Sequence, residues 1–216
     1  MYENFFKRIF DFVVALIVLP FWVIILAIIG PIIYLQDKGS IFYNAPRLGK
    51  DGKIFKMYKL RSMKINAPDL RNEDASTFNA EDDPRLTKIG KFIRKTSLDE
   101  TPQLLNIIKG DMSIIGPRPD LPEAIDLYTT YEKGKLLVRP GITGYNQAYF
   151  RNLISSKDKF KNDVLYVENL SIIFDLRIFF KTISSVILRK NVFIINKLTA
   201  FEEDIPNSKE KINVNR

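Results

Sequence analysis

The sequence FVVALIVLPFWVIILAIIGPIIYL, Phe12–Leu35, contains no charged residue and has a proline, Pro20, near its middle. About 20 apolar residues are enough for a helix to cross the hydrocarbon core of a bilayer. A proline inside a helix removes one backbone donor and disfavours helical geometry in the residue before it. This stretch therefore predicts a membrane-embedded helix that bends near Pro20.

Basic residues flank the apolar stretch on both sides. They are Lys7 and Arg8 before it and Lys38, Arg47, Lys50, Lys53, Lys56, Lys59, Arg61 and Lys64 after it. Because basic residues mark the cytoplasmic side of a membrane segment, a re-entrant helix that returns to the face it entered would satisfy both flanks. A straight span with a proline kink is the open alternative. A cleaved signal peptide is disfavoured, since the stretch is too long and no small-residue cleavage site follows.

The composition limits which side chains could catalyse a reaction or bind a metal. The 216-residue chain has no cysteine and no histidine, which excludes disulfides, thiolate metal sites, a cysteine nucleophile and any imidazole base. Catalysis would therefore use carboxylates, Lys, Arg, Tyr, Ser or Thr, and a metal would be a hard ion with oxygen ligands. The net charge of +8 suits anionic lipid headgroups, nucleotides or nucleic acid, and charge alone does not separate these.

The remaining patterns predict an α+β fold that is mostly helical. Ser40–Tyr43 and Lys53–Leu60 predict a small β-hairpin, because Asp51-Gly52 between them is a turn signal. The acidic segment 66–84 is typical of a mobile loop that covers a substrate. Two helices are expected over Leu86–Lys109, the second ending at Gly110, and another over Leu121–Lys135.

Leu170–Leu188 places apolar residues at the spacing of an amphipathic helix. Such a helix packs against a protein core or lies in the bilayer interface, and both interpretations stay open here. Three domains are expected: a re-entrant membrane-anchoring helix at 1–36, a catalytic domain at 37–190 and a partly disordered tail at 191–216.

Ser97–Gln103, SLDETPQ, is the segment most suggestive of chemistry. Ser97 and Glu100 have the spacing of a capping box, which would put Asp99 and Glu100 at a helix N-terminus. Acids in this position often do no more than complement the helix dipole. Two proline-containing, rigid loops follow, and each presents an arginine: Arg118 in Gly116–Pro119 and Arg139 in Arg139–Gly144. Because arginine binds phosphate oxygens bidentately, this combination favours phosphoryl chemistry on a magnesium-bound diphosphate. Pairing of either arginine with a buried acid is the alternative.

Four motifs resemble those of the bacterial sugar transferases called monotopic phosphoglycosyl transferases. They are Lys7-Arg8-x-x-Asp11, LRSM at Leu60–Met63, DPRLTKIGKFIRKTSLDETPQLLNIIKGDMSIIGPRP at Asp83–Pro119, and RPGITGYNQ at Arg139–Gln147. The resemblance covers roughly residues 2–190. It is greatest with the small, minimal catalytic-core members that start glycan assembly on undecaprenyl phosphate.

The resemblance implies transfer of a sugar-1-phosphate from a UDP-sugar to undecaprenyl phosphate, with release of UMP. It also implies a Mg²⁺ requirement, an anionic phospholipid membrane as partner, no nucleic acid, and a catalytic domain on the cytoplasmic face of the bacterial inner membrane. Asp99 matches the family's nucleophile, which forms an aspartyl-phosphosugar intermediate in a ping-pong reaction, and Glu100 its second acid. Both match the metal site. The matching substrate-binding positions are Lys59, Arg94, Arg118 and Arg139.

The chain departs from the family pattern at two places. Leu19-Pro20 stands where Ser-Pro is common, and Tyr145 stands where Trp is common, followed by an atypical Ala148–Arg151. These differences bear on the sugar and nucleotide preference. Two other mechanisms stay open at this point: single displacement, in which Asp99 and Glu100 only bind metal, and a non-enzymatic, membrane-anchored basic scaffold.

Overall fold

The computed structural model describes residues 2–70, 83–150 and 154–187 of the chain. It is mostly helical and has two small sheets. The helices are α1 (Lys7–Asp37, preceded by a π-helical turn at Tyr2–Phe6), α2 (Lys88–Lys95), α3 (Gln103–Lys109), α4 (Tyr145–Tyr149), α5 (Ser156–Glu168) and α6 (Ile172–Ile187). The strands are β1 (Phe42–Leu48), β2 (Ile54–Leu60), β3 (Ser113–Ile115) and β4 (Gly141–Thr143). Short 3₁₀ stretches cover Lys50–Gly52, Leu98–Glu100, Pro122–Asp126 and Glu132–Leu137.

Helix α1 contains the apolar stretch, and it is long and apolar enough to cross a membrane. It packs one narrow stripe against the rest of the protein and leaves its other faces exposed. The buried residues recur every one or two turns along one side: Lys7, Asp11, Ala15, Trp22, Ile29, Gly30 and Ile33. Both Pro20 and Pro31 lie inside this single helix. The return of the helix to the side it entered stays a prediction.

Both ends of α1 are attached to the same body by polar contacts. Near the start, the Asp11 carboxylate accepts hydrogen bonds from Ser113 Oγ (2.7 Å) and from the Ile114 backbone N–H (3.1 Å). At the end, the Asp37 carboxylate binds the Arg61 guanidinium through two contacts of 2.6 Å. Asp11 is buried, and a buried carboxylate is stable only when it is paired. Together with the Asp37–Arg61 pair, its contacts fix the register of α1 along the domain.

The predicted hairpin is confirmed. Strands β1 and β2 pair antiparallel from Phe42 opposite Leu60 to Leu48 opposite Ile54. The connection uses left-handed conformations at Asp51 (φ 58°) and Gly52 (φ 73°), as the turn signal indicated. The first strand extends further than the sequence pattern suggested.

The two helices predicted over Leu86–Lys109 are confirmed as α2 and α3, and Gly110 ends α3 in the left-handed region (φ 95°). The expected capping box is wrong. Ser97 itself has a left-handed backbone (φ 57°) and makes no side-chain capping bond. Thr87 provides a cap instead, for α2, where its hydroxyl accepts from the Gly90 N–H.

A short parallel pair of strands, β3 and β4, was not predicted from the sequence. It depends on three glycines at which the backbones almost touch. A Cβ added at Gly141 would lie 2.1 Å from Gly116 N, and one added at Gly144 would lie 2.1 Å from Gly116 O. The glycines of the segments Gly116–Pro119 and Arg139–Gly144 are therefore required sterically, because they let the two segments pack against each other.

The segment Leu121–Lys135 is not the helix that the sequence predicts. Two 3₁₀ stretches separated by irregular backbone occupy this region, so that prediction is wrong. A helix, α6, lies within the predicted stretch Leu170–Leu188, with Phe174 and Ile178 buried and Ile173, Leu176 and Phe180 exposed. Its role as an amphipathic interfacial helix stays a prediction. Residues 71–82 of the acidic loop and the tail at 191–216 lie outside the described residues, so the lid and the disordered tail stay predictions.

We expect Gly141→Ala to destabilise the fold by about 3 kcal/mol, because the new Cβ would collide with backbone atoms that cannot move aside. Thermal unfolding in detergent micelles measures this. Gly30→Ala is the matched control, since its Cβ would meet the Ile41 side chain at an ordinary distance of 3.4 Å. Equal melting temperatures for Gly141→Ala and the wild type would contradict the steric role of Gly141.

Candidate active site

The acid pair lies in the 3₁₀ turn Leu98–Glu100, directly before α3. The left-handed residue Ser97 precedes the turn, and Pro102 follows it at the helix start. The Asp99 side chain is only 6% exposed and that of Glu100 is 19% exposed. The turn therefore holds two neighbouring carboxylates at the edge of the protein, one nearly covered and one partly open.

Two cations from other segments contact these acids. Lys59, the next-to-last residue of β2, places Nζ 3.1 Å from Asp99 Oδ2 and 3.3 Å from Glu100 Oε1. Arg118, in the loop after β3, places a guanidinium nitrogen 2.9 Å from the same Glu100 oxygen. Two negative and two positive groups thus form one compact, charge-balanced cluster.

The charges around Glu100 set its ionisation. Burial raises the pKa of this carboxyl, but the positive charges of Arg118 and Lys59 outweigh burial and hold the pKa at about 2. The pKa of the Arg118 guanidinium is raised by the Glu100 carboxylate that it contacts. Glu100 is therefore ionised at neutral pH and suited to bind cations, and it is a poor proton donor there.

Arg118 is the most accessible member of the cluster, with 52% of its side chain exposed. Its loop is fixed by backbone contacts on the N-terminal side, where the Gly116 N–H donates to Thr143 O and the Gly141 N–H donates to Pro117 O, both at 2.9 Å. A guanidinium held in this way is available to phosphate oxygens, which it can bind bidentately.

The structure brings together four of the six residues that the sequence assigned to the site: Lys59, Asp99, Glu100 and Arg118. Arg94 lies on α2, where its Nε donates to Ser62 Oγ at 3.0 Å. Arg139 lies by the opposite end of α3 from the acid pair, and its Nε donates to the Gly110 carbonyl at 3.1 Å. Substrate binding by Arg94 and Arg139 stays a prediction.

A second ionic cluster near the site was missed in the sequence. Lys135 is 3% exposed and contacts both Asp120, which directly follows the Arg118-Pro119 dipeptide, and Asp163 on α5. The three residues of this cluster are far apart in the chain, so no local pattern predicts it. The one signal in the sequence is the acid that directly follows the Gly-Pro-Arg-Pro motif. Arg61 of the LRSM motif also has a structural partner, Asp37.

The Asp99 and Glu100 oxygens converge on one cationic group, the Lys59 ammonium. Carboxylate pairs of this kind also suit Mg²⁺, which is usually bound by one or two carboxylates together with substrate phosphates and water. Within the described ranges, no group of three or more acidic side chains could hold a metal. Two carboxylates are fewer ligands than a magnesium ion takes, so an ion bound here would share its coordination with a phosphate-bearing substrate, and its binding stays a prediction.

Comparison with known proteins gives a family match over most of the chain. Residues 2–189 match the family model described as bacterial sugar transferase. The exopolysaccharide production protein ExoY of Sinorhizobium fredii is 39% identical over 198 residues, which cover 87% of this chain and 88% of that protein.

Two longer relatives carry more specific names. The undecaprenyl-phosphate galactose phosphotransferase of Salmonella typhimurium is 39% identical over 206 residues, covering 88% of this chain and 42% of that protein. An Aeromonas hydrophila protein, a UDP-N-acetylgalactosamine-undecaprenyl-phosphate N-acetylgalactosaminephosphotransferase, is 34% identical over 189 residues, covering 85% of this chain and 44% of its own length. The chain therefore spans most of the shorter relative and less than half of these two longer ones.

The lowered pKa of Glu100 predicts a pH-dependent contribution to stability. Because the folded-state pKa lies below the ordinary 4.5, ionised Glu100 stabilises the fold above pH 4.5, and this stabilisation is lost as the pH falls towards about 2. We expect Glu100→Gln to cost on the order of 2–3 kcal/mol at pH 7 and much less at pH 3.

Urea unfolding of the two proteins at both pH values measures this difference. Glu123→Gln changes an exposed acid outside the cluster and is the control. A difference between wild type and Glu100→Gln that is the same at pH 7 and pH 3 would contradict the electrostatic account.

Proposed function

The chain belongs to the bacterial sugar transferase family, and we propose that it transfers a sugar-1-phosphate from a UDP-sugar to undecaprenyl phosphate and releases UMP. The names of the two longer relatives support this choice of donor and acceptor. The observation that carries the proposal is the nearly covered Asp99 carboxylate, which lies beside Glu100 and contacts Lys59, with Arg118 on the open side of the cluster. The reaction would begin assembly of a membrane glycoconjugate.

The donor's diphosphate would meet the half-exposed Arg118 first, since this is the accessible cation of the cluster. Arg118 would have to exchange its contact with Glu100 for contacts with phosphate oxygens. Lys59 would remain near Asp99 and compensate charge as the phosphate approaches. A cation that is already in place, as Lys59 would be, stabilises charge that develops in the transition state, which is a large contribution to catalysis.

In the first half of the reaction, an Asp99 oxygen attacks the phosphorus that carries the sugar. The bond from this phosphorus to the bridging oxygen breaks, and UMP leaves with the electron pair. The product is an acyl phosphate that joins Asp99 to the sugar-1-phosphate. A carboxylate nucleophile of this kind divides one difficult displacement into two easier ones.

In the second half, an oxygen of undecaprenyl phosphate attacks the same phosphorus. The acyl phosphate bond breaks, the Asp99 carboxylate is restored, and the sugar is left on a lipid diphosphate. The attacking phosphate is already largely ionised at neutral pH, so it needs little help from a base. This suits a chain without histidine.

Asp99 and Glu100 would hold Mg²⁺, as their converging oxygens fit. When bound, the ion would supply positive charge that stabilises the diphosphate and the departing UMP. Glu100, ionised because of Arg118 and Lys59, would keep a ligand available to the ion throughout turnover.

We further propose that residues 1–36 form a re-entrant membrane anchor and that 37–190 form a catalytic domain on the cytoplasmic side. The contacts of Asp11 with Ser113 and of Asp37 with Arg61 support this topology, because both ends of α1 are bound to one body. Basic flanks on both sides of the helix favour the cytoplasmic face. The catalytic cluster would then lie at the height of the headgroups, where the acceptor phosphate resides.

Two other helices are proposed to contact an anionic membrane surface. On α2, the exposed Phe92 lies among Lys88, Lys91 and Lys95. On α6, exposed apolar side chains accompany two basic residues: Ile172, Ile173, Leu176, Phe180 and Ile183 with Arg177 and Lys181. Helices with this composition lie in bilayer interfaces, bound by apolar burial and by attraction to anionic lipids.

Asp99→Asn should abolish UMP release, since the amide is not a nucleophile towards phosphorus. The variant should still fold and show a thermal unfolding transition. A screen of UDP-sugars with undecaprenyl phosphate and Mg²⁺ measures release. Asp126→Asn, at an exposed acid, is the control and should keep wild-type rates. Wild-type turnover of Asp99→Asn would remove Asp99 from the chemistry.

Exchange of labelled UMP into the UDP-sugar without acceptor separates ping-pong chemistry from single displacement. The covalent route predicts exchange in the wild type and none in Asp99→Asn. Turnover with acceptor but no exchange without it would favour single displacement.

The topology is testable because the native chain has no cysteine. Asn4→Cys and Ser40→Cys, at exposed positions on either side of α1, should react with a membrane-impermeant maleimide from the same face of inverted vesicles. Labelling from opposite faces would show a true span and contradict the re-entrant anchor.

A further inference from the structure

The loop that presents Arg118 has few hydrogen bonds of its own. Pro117 and Pro119 flank the arginine and have no backbone N–H to donate. The N-terminal side of the loop is held by the contacts between Gly116, Pro117 and strand β4. On the C-terminal side, the next hydrogen bonds within the described residues are those of Asp120, so the position of Arg118 depends on what holds Asp120.

Asp120 is held by three groups. Its backbone carbonyl accepts from the Leu48 N–H at 2.9 Å. Its carboxylate accepts from Tyr128 Oη at 2.6 Å and from Lys135 Nζ at 2.6 Å. A charge-assisted bond from an ammonium is the strongest of these contacts, so Lys135 makes the dominant connection between this loop and the protein interior.

Lys135 is itself rigidly placed. Its side chain is 3% exposed, and Nζ also lies 2.5 Å from Asp163 Oδ2 on α5. The ammonium packs over the rings of Tyr128 and Phe160, at 5.6 and 5.1 Å from their centroids. The neighbouring carboxylates outweigh burial and raise the pKa of Lys135, so the side chain remains charged.

One buried ammonium needs one carboxylate, and Asp163, at 4% exposure, would be enough. The second carboxylate, Asp120, is 28% exposed and adds a negative charge that neutralising Lys135 does not require. A charge that is partly removed from water is costly, and one documented reason for keeping such a charge is that it specifies one arrangement. Here the arrangement it specifies is that of the Arg118 loop.

We propose that Lys135 is a positioning residue, which fixes Arg118 for the donor's diphosphate through its own bond to the Asp120 carboxylate. This inference rests on the proposed function for the role of Arg118, whereas the mechanical link from Lys135 to the loop is independent of it. Lys135 touches no reacting atom, and its effect is transmitted through Asp120.

Asp120 and Asp163 provide a matched pair of variants. Either substitution by alanine leaves Lys135 with one carboxylate, but only Asp120→Ala releases the loop. Asp163→Ala removes the more buried acid, whose other oxygen accepts from Asn146 at 2.7 Å, so it should cost more stability. Asp163→Asn replaces it if the alanine variant does not fold.

The first measurement is hydrogen exchange of the Leu48 amide, whose bond to Asp120 O reports the position of the loop. We expect exchange at least about 10-fold faster in Asp120→Ala and Lys135→Met, and nearly unchanged in the Asp163 variant. Unchanged protection in both Asp120→Ala and Lys135→Met would overturn the link. Faster exchange in all three variants, in proportion to lost stability, would also overturn it.

The second measurement is a double-mutant cycle on kcat/KM for UMP release. Asp120→Ala should lower kcat/KM on the order of 10²-fold in the native background, because small displacements of a positioning group are costly. In an Arg118→Ala background the same change should have little further effect. Additive losses would show that Asp120 acts independently of Arg118 and would overturn the proposal.

A wild-type chain without UMP release would contradict the proposed function instead. In that case the exchange comparison alone still decides whether Lys135 holds the loop.

Discussion

The interaction on which the site depends is the pairing of two adjacent acids with two cations from separate parts of the chain. Lys59 comes from the hairpin, Arg118 from the loop after β3, and the acids from the turn before α3. Charged groups that are partly removed from water need such partners, and here the partners come from other segments. The cluster is electrically balanced in the free protein, so the phosphate of the proposed donor would have to take over contacts that already exist. Its binding would then be an exchange of partners at fixed positions.

Polar contacts attach α1 to the segments that carry Lys59 and Arg118. Asp11 bonds to Ser113 and Ile114 on β3, the strand that runs directly into the Arg118 loop. At the other end of the helix, Asp37 binds Arg61, which lies two residues after Lys59. A third contact joins Lys7 to Asp175 on α6 at 2.6 Å. The helix that would enter the membrane is thus bonded to both segments that supply the site's positive charge. In the proposed function, these bonds would relate the depth of the anchor to the geometry of catalysis.

Local patterns in the sequence predicted the elements whose causes are local. The hairpin follows from its turn residues, the end of α3 from Gly110, and α6 from its apolar spacing. The acid pair, Lys59 and Arg118 were assigned through the resemblance to a family, and the structure brings these side chains together. Patterns failed where distant partners decide the outcome. Ser97 has capping spacing but a left-handed backbone, and the expected helix over Leu121–Lys135 gives way to 3₁₀ stretches. The β3–β4 pair and the Lys135 cluster join residues that are far apart in the chain, so no local sequence pattern predicts them.

The most direct test of the central claim is mass spectrometry of the protein after incubation with a UDP-sugar and Mg²⁺, without lipid acceptor, followed by acid quenching. The account predicts a peptide containing Asp99 that is heavier by one sugar phosphate, and loss of this adduct when undecaprenyl phosphate is added before quenching. An adduct on another residue, or no adduct from a preparation that turns over with acceptor, would contradict a covalent role for Asp99.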